Sequence, residues 1–174
     1  MCAKRMLILK ERLTLCAFLS FLLGCDPSVP LKPDAPSDVI TREPGGGWFV
    51  ETSRHDLSVR IRGTIGPMFS TTHFYAAISN HRSNIVKLQC ANLSVQLDGE
   101  TRARATSGSC RIQTGQKEWF RSEEIIIEPR STAIVSFYFS KAIYKKTILL
   151  EIDAFEDVST GERIPFAINF FHEG

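Results

Sequence analysis

From Trp48 to the C-terminus the chain alternates apolar and polar residues with a period of two, and this constrains the fold more than any other feature. In HDLSVRIRG, Leu57, Val59 and Ile61 fall on one parity. Ala133, Val135, Phe137 and Phe139 do so in STAIVSFYFS. Ile148, Leu150, Ile152 and Ala154 follow in TILLEIDAFE, and Ile164, Phe166, Ile168 and Phe170 in RIPFAINFF. Successive side chains of a strand point to opposite faces, so each run describes a half-buried antiparallel strand. No run carries the three-and-four spacing of an amphipathic helix. Around Cys90 the parity changes, from Val86, Leu88 and Cys90 to Leu93, Val95 and Leu97. One extra residue near Ala91 and Asn92 restores a single face, which predicts a bulge or sharp bend. Turns are marked by SNHRSN, LDGE, TGQ, EPRS and STGE, the last closing a hairpin over roughly Thr147–Phe171. The sum is about eight or nine strands and an all-β, two-layer antiparallel β-sandwich over residues 48–174.

The segment EIIIEPRSTAIVSFYFS resembles a recurring piece of immunoglobulin-like bacterial domains: an apolar strand, a proline turn, then an alternating strand. The likeness implies an immunoglobulin-like sandwich, without the Trp and Cys spacing of antibody domains.

The N-terminus reads differently. A basic start precedes the apolar run LTLCAFLSFLL, Leu13 to Leu23, which is too short to span a bilayer at roughly 20 residues. It has the layout of a secretory signal peptide over residues 1–24. The tetrad Leu22-Leu23-Gly24-Cys25 resembles the lipobox of bacterial lipoproteins. That resemblance implies cleavage after Gly24, a diacylglycerol (palmitate-type chains) on the Cys25 sulfur, and a lipid anchor facing the periplasm. The alternative tetrad ending at Cys16 has bulky Leu15 at the cleavage position. Two or three acyl chains, each buried methylene contributing about 0.8 kcal/mol, make such an anchor permanent. Asp26 resembles the inner-membrane retention signal of enterobacterial lipoproteins. Pro27, Pro30, Pro33 and Pro36 then recur every third residue, the period of polyproline II, and Gly45-Gly46-Gly47 follow. Residues 25–47 are therefore expected to form a semi-rigid tether of about 60 Å.

Five cysteines sort by compartment. Cys2 and Cys16 leave with the signal peptide, Cys25 takes lipid, and Cys90 and Cys110 remain in an exported domain. An even remainder outside the cytoplasm predicts one disulfide, the alternatives being two buried thiols or, with no further ligand at suitable spacing, a metal pair. Residues 1–24 hold four basic side chains and one acidic, leaving 17 basic against 18 acidic for the rest. A near-neutral domain has no global pull toward nucleic acid.

Chemistry is hard to find. His55, His73, His81 and His172 are scattered, and no HExxH, GxSxG or phosphate-binding loop is present. Glu123-Glu124 and Glu156-Asp157 are sequence neighbours, which on strands point to opposite faces. His55-Asp56 reads as a strand start. The stretch SGSC, Ser107 to Cys110, resembles small periplasmic lysozyme inhibitors over four residues. No metal and no cofactor is expected. Two aromatic doublets stand out, Trp48-Phe49 and Trp119-Phe120, with Arg121 beside the second. On strands, one ring of each points inward and its neighbour outward, where it is available to a glycan or protein. The expected function is a non-catalytic, membrane-anchored binding or scaffold module of the cell envelope. The alternatives are an envelope enzyme, an enzyme inhibitor, or a sandwich lipoprotein of a secretion machine.

Overall fold

A computed structural model describes residues 29–34, 39–42, 47–66, 71–99, 101–104, 110–114, 118–139 and 147–172. Residues 1–28, and with them the expected signal peptide and Cys25, lie outside the described residues.

The described residues form the expected all-β, two-layer antiparallel sandwich. One sheet orders β11 (Glu118–Arg121), β10 (Cys110–Thr114), β13 (Ser131–Phe139), β6 (Thr72–Asn80), β5 (Leu57–Ile65), β4 (Trp48–Arg54) and β3 (Val39–Arg42). A short β1 (Val29–Pro30) pairs with the far end of β5. The second sheet orders β12 (Glu124–Ile127), β7 (Val86–Gln89), β14 (Thr147–Asp157), β15 (Arg163–Phe171) and β2 (Lys32–Asp34). In it β8 (Leu93–Leu97) also lies on β14, and β9 (Thr101–Arg104) lies on β8.

The alternating residues meet between the sheets. Val59, Ile61, Phe74, Ile78, Val135 and Phe137 from the first sheet pack against Leu88, Val95, Leu150, Ile152, Phe166 and Phe170 from the second. The Phe74 and Phe170 rings, one from each sheet, lie 5.3 Å apart. The parity change at Cys90 is a 3-10 turn, Cys90–Asn92, between β7 and β8. It lets one continuous stretch run along β14 twice, Val86–Leu88 beside Phe155–Asp157 and Leu93–Leu97 beside Ile148–Ile152. β14 answers with its own irregularity, a register shift against β15 between Ile152 and Phe155. Ala154 and Phe155 are consequently both buried, and Asp157 rather than Glu156 turns inward.

The C-terminal hairpin matches its expected span. Strand number does not: among the described residues beyond 47 there are twelve strands, not eight or nine, because short pieces such as β9 and β11 are too brief to show alternation. His55-Asp56 is not a strand start. Both residues have positive φ, 47° and 57°, and they form the two-residue turn between paired Arg54 and Leu57.

The larger correction concerns residues 25–47. β1, β2 and β3 are built from this stretch and pair with β5, β15 and β4, so the fold already includes Val29 and is not confined to residues from Trp48 onward. Polyproline II and β backbone angles are close, and prolines are tolerated on sheet edges where no N–H is required. Leu31 decides between the two. Its side chain is fully buried, its N–H donates to the Gly63 carbonyl at 2.9 Å, and it fills the space left by the missing side chain of Gly63. A Cβ on Gly63 would stand 2.8 Å from Leu31 and 2.9 Å from Phe74.

Candidate functional site

The two aromatic doublets fall toward opposite edges of the first sheet, one on β4 beside the edge strand β3 and one on the edge strand β11. Trp48 shares the inward parity of Val50 and sits at the rim between the layers. The Lys32 ammonium and the Arg42 guanidinium lie 5.5 and 5.2 Å from its ring. Phe49 faces outward, with the guanidinium groups of Arg60 and Arg62 at 4.6 and 5.4 Å. At the other edge Trp119 faces outward, opposite Gln113, and Arg121 shares its face, opposite Arg111. Phe120 has the inward parity of Ile112 yet is 53% exposed, more than Trp119 at 36%. Its strand is the last of the sheet, where inward parity no longer guarantees burial.

The sheet between these edges joins the doublets. Outward positions along β5, β6, β13 and β10 place Arg62, Tyr75, Ser136 and Arg111 in one cross-strand row, ending at Arg121. Thr64, His73 and Tyr138 form the next row. Guanidinium and ring alternate along this face: Arg62 lies 5.0 Å from the Tyr75 ring and Arg111 lies 5.8 Å from that of Tyr138. Each such contact contributes about 0.5–1 kcal/mol where it is exposed.

Tyr75 and Trp119 stand three strand spacings apart, about 14 Å at the backbone. Their rings nonetheless approach edge to face at 6.3 Å. They lean together across Ser136 and Arg111, whose positions between them are occupied by one small side chain and one long one. The result is a cleft of about 400 Å³, lined chiefly by His73, Tyr75, Arg111, Trp119, Ser136 and Tyr138. Binding sites for small molecules begin at roughly this size.

The cleft's electrostatics are one-sided. Among the described residues no carboxylate lines it. Burial, and then the neighbouring Arg111 charge, hold His73 below the ordinary imidazole value, so the ring is neutral near pH 7. His73 stacks on Tyr138 with centroids 5.8 Å apart and shares a 3.0 Å hydrogen bond with the Thr71 hydroxyl. The Nε of Arg111 is buried without a hydrogen-bond partner among the described residues. Hydroxyls, an indole N–H and a guanidinium make this a site for acceptors. No group of three or more His, Cys, Asp or Glu able to hold a metal occurs among the described residues.

A second polar cluster closes one end of the sandwich. Asp157 is fully buried, and its carboxylate accepts from the Ser159 hydroxyl at 2.6 Å, the Ser159 and Thr160 N–H groups, and the Asn84 amide. The Ser159 hydroxyl above all, then the Asn84 amide and the two N–H groups, hold its pKa far below the ordinary carboxylate value against the opposing effect of burial. Arg82 bridges Asp157 at 3.1 Å and Glu162 at 2.8 Å, and Glu162 meets the His55 Nδ1 at 3.2 Å. Asn80, also buried, donates to the carbonyls of Asn84, Ile127 and Glu128. These contacts tie three turns together and commit the cluster's polar groups to one another, so the cluster is architectural.

Cys90 and Cys110 are joined as expected, with Cα atoms 6.0 Å apart. The bond links the turn after β7 in one sheet to β10 in the other, two residues from Ile112 and next to Arg111. Sequence reading found Trp119 and Arg121 but missed His73, Tyr75, Arg111 and Tyr138. Outward parity was their only signal, and which outward residues become neighbours depends on strand order.

Two solved structures are distantly similar. The apo PmoF2 PCuAC domain matches with a TM-score of 0.42 at 12% identity, covering 67% of this chain and 90% of that one. A FixG-related protein from Vibrio parahaemolyticus matches with a TM-score of 0.39 at 11% identity, covering 70% of this chain and 100% of that one. No protein-family model and no curated protein matches the chain.

Proposed function

We propose that this chain is a non-catalytic binding module of the bacterial cell envelope, anchored by lipid on Cys25, with the outer face of the first sheet as its contact surface. The observation that supports it is the cleft between Tyr75 and Trp119, where rings and guanidinium groups stand together on an otherwise ordinary sheet face. Aromatic and arginine side chains are the residues that dominate binding energy at recognition surfaces. The other polar cluster, at the end of the sandwich, is consumed by its own hydrogen bonds.

The test combines anchor and face. Labelled palmitate enters the wild-type chain and not Cys25→Ser, and a partner cross-linked to wild type in solubilised membranes is lost from Trp119→Ala. Label in the Cys25→Ser variant overturns the anchor. A partner retained by a folded Trp119→Ala variant overturns the contact face.

A further inference from the structure

The register of the outer face contains an arrangement that a free-standing sheet does not favour. Arg111 and Arg121 stand directly opposite each other on adjacent strands, with side chains on the same face. Like charges at such positions repel. Neither forms an ion pair among the described residues, and the cleft beside them carries no carboxylate. The Arg111 Nε adds a buried donor without an acceptor, a cost that an incoming acceptor removes. Around these donors stand the Trp119, Tyr75 and Tyr138 rings, with the Ser136 hydroxyl between Tyr75 and Arg111 in the row.

We infer that the Tyr75–Trp119 cleft binds a ring-bearing organic anion, its carboxylate or phosphate paired with Arg111 and Arg121 and its ring packed on the Trp119 or Tyr138 face. This deepens the reading of the outer face as the contact surface and rests on it. A guanidinium offers parallel N–H donors that match a carboxylate or a phosphate bidentately. Aromatic walls take the apolar face of a sugar or an aryl group alike. The cleft's size admits one such unit. Neutral His73 leaves the arginines as the charged groups of the site and does not compete as a cation. An acceptor-rich ligand suits the guanidinium, the indole N–H and the hydroxyls, whereas a cation meets the Arg111 charge.

The experiment titrates the full chain, in detergent micelles, with glucuronate, glucose 6-phosphate and benzoate, and with glucose and benzyl alcohol as their uncharged counterparts. Tryptophan fluorescence and heat of binding are read. The expected result is saturable binding of at least one anion, at least tenfold tighter than its neutral counterpart and weakened by salt. Which anion binds separates an acidic sugar, a sugar phosphate and an aryl carboxylate as the source. Arg111→Gln and, independently, Arg121→Gln are expected to weaken it at least tenfold, with Arg111→Lys intermediate. Equal binding of charged and neutral probes, no binding of any anion, or binding unchanged in a folded Arg111→Gln or Arg121→Gln variant overturns the inference. Loss of an envelope partner in Trp119→Ala without a response to any anion overturns the ligand class alone and leaves the binding-module reading standing.

Discussion

Trp119 is a large ring left more than a third exposed, on an edge strand, and leaning over a cleft. Truncating a buried Trp or Phe costs about 3–5 kcal/mol, and Trp119 lacks that burial. Trp119→Ala is therefore expected to stay folded in urea titrations, with a stability loss below that range, while partner binding falls by about 2 kcal/mol or more. Asp157 is the opposite case, a buried charge with every acceptor site used. Asp157→Ala is expected to lower stability by about 1–3 kcal/mol, the cost of stranding its donors. Its folded pKa is depressed, so its contribution is complete above the unfolded value near 3.9 and is lost as pH falls below that. Urea midpoints measured from pH 7 to pH 2 should show wild type and Asp157→Ala converging at the acid end. Sequence reading placed Glu156 and Asp157 on opposite faces of a strand, and the even parity of Ile148 to Ala154 would turn Glu156 inward. The register shift in β14, which turns Asp157 inward, cannot be seen in the local pattern.

Elements short enough to escape sequence reading hold the sandwich together. β1 and β2 contribute two and three residues, and the buried Leu31 between them packs over Gly63 of β5. Leu31→Ala is expected to cost about 2–5 kcal/mol by chemical denaturation, the range for a buried leucine. A tether residue would cost nothing, so the measurement separates the two accounts of residues 29–34. Gly63→Val should be as damaging, since its side chain would enter the space of Leu31 and Phe74. The disulfide works at the same scale, crossing between sheets and closing 20 residues. Reduction of the purified chain is expected to lower stability by about 3 kcal/mol on the chain-entropy account, checked by urea midpoints with and without reductant. The long strands were legible because both sheets bury one face of each, which writes period two into β5, β13, β14 and β15. β10 and β11 lie at an edge, where burial writes no such pattern.

At the scale of the molecule, the proposed anchor at Cys25, combined with a fold that already includes Val29, would shorten the reach from the bilayer. Four backbone steps extend at most about 14 Å, against the roughly 60 Å of a proline tether. Distance measurements between labelled headgroups and the Val29 end of the lipidated chain should then find the domain close to the bilayer surface. A separation several times larger counts against it. Inserting a flexible segment after Asp26 should increase that separation without changing the fold. Charge follows the same logic of arrangement over sum. The domain is close to neutral in total, yet Arg60, Arg62, Arg111 and Arg121 share one face. What the sequence alone determined is the all-β class, the main strands and the disulfide partners, while the lipid attachment at Cys25 stands as a proposal. Each is written locally, in parity, in cysteine number or in one tetrad. Only the tertiary structure decided that residues 29–34 and 39–42 belong to the sheets, that Asp157 is inside, and that His73, Tyr75, Arg111 and Trp119 share a cleft. Those outcomes depend on which strands are neighbours, and the free energy of pairing distant strands leaves no periodic trace in either one.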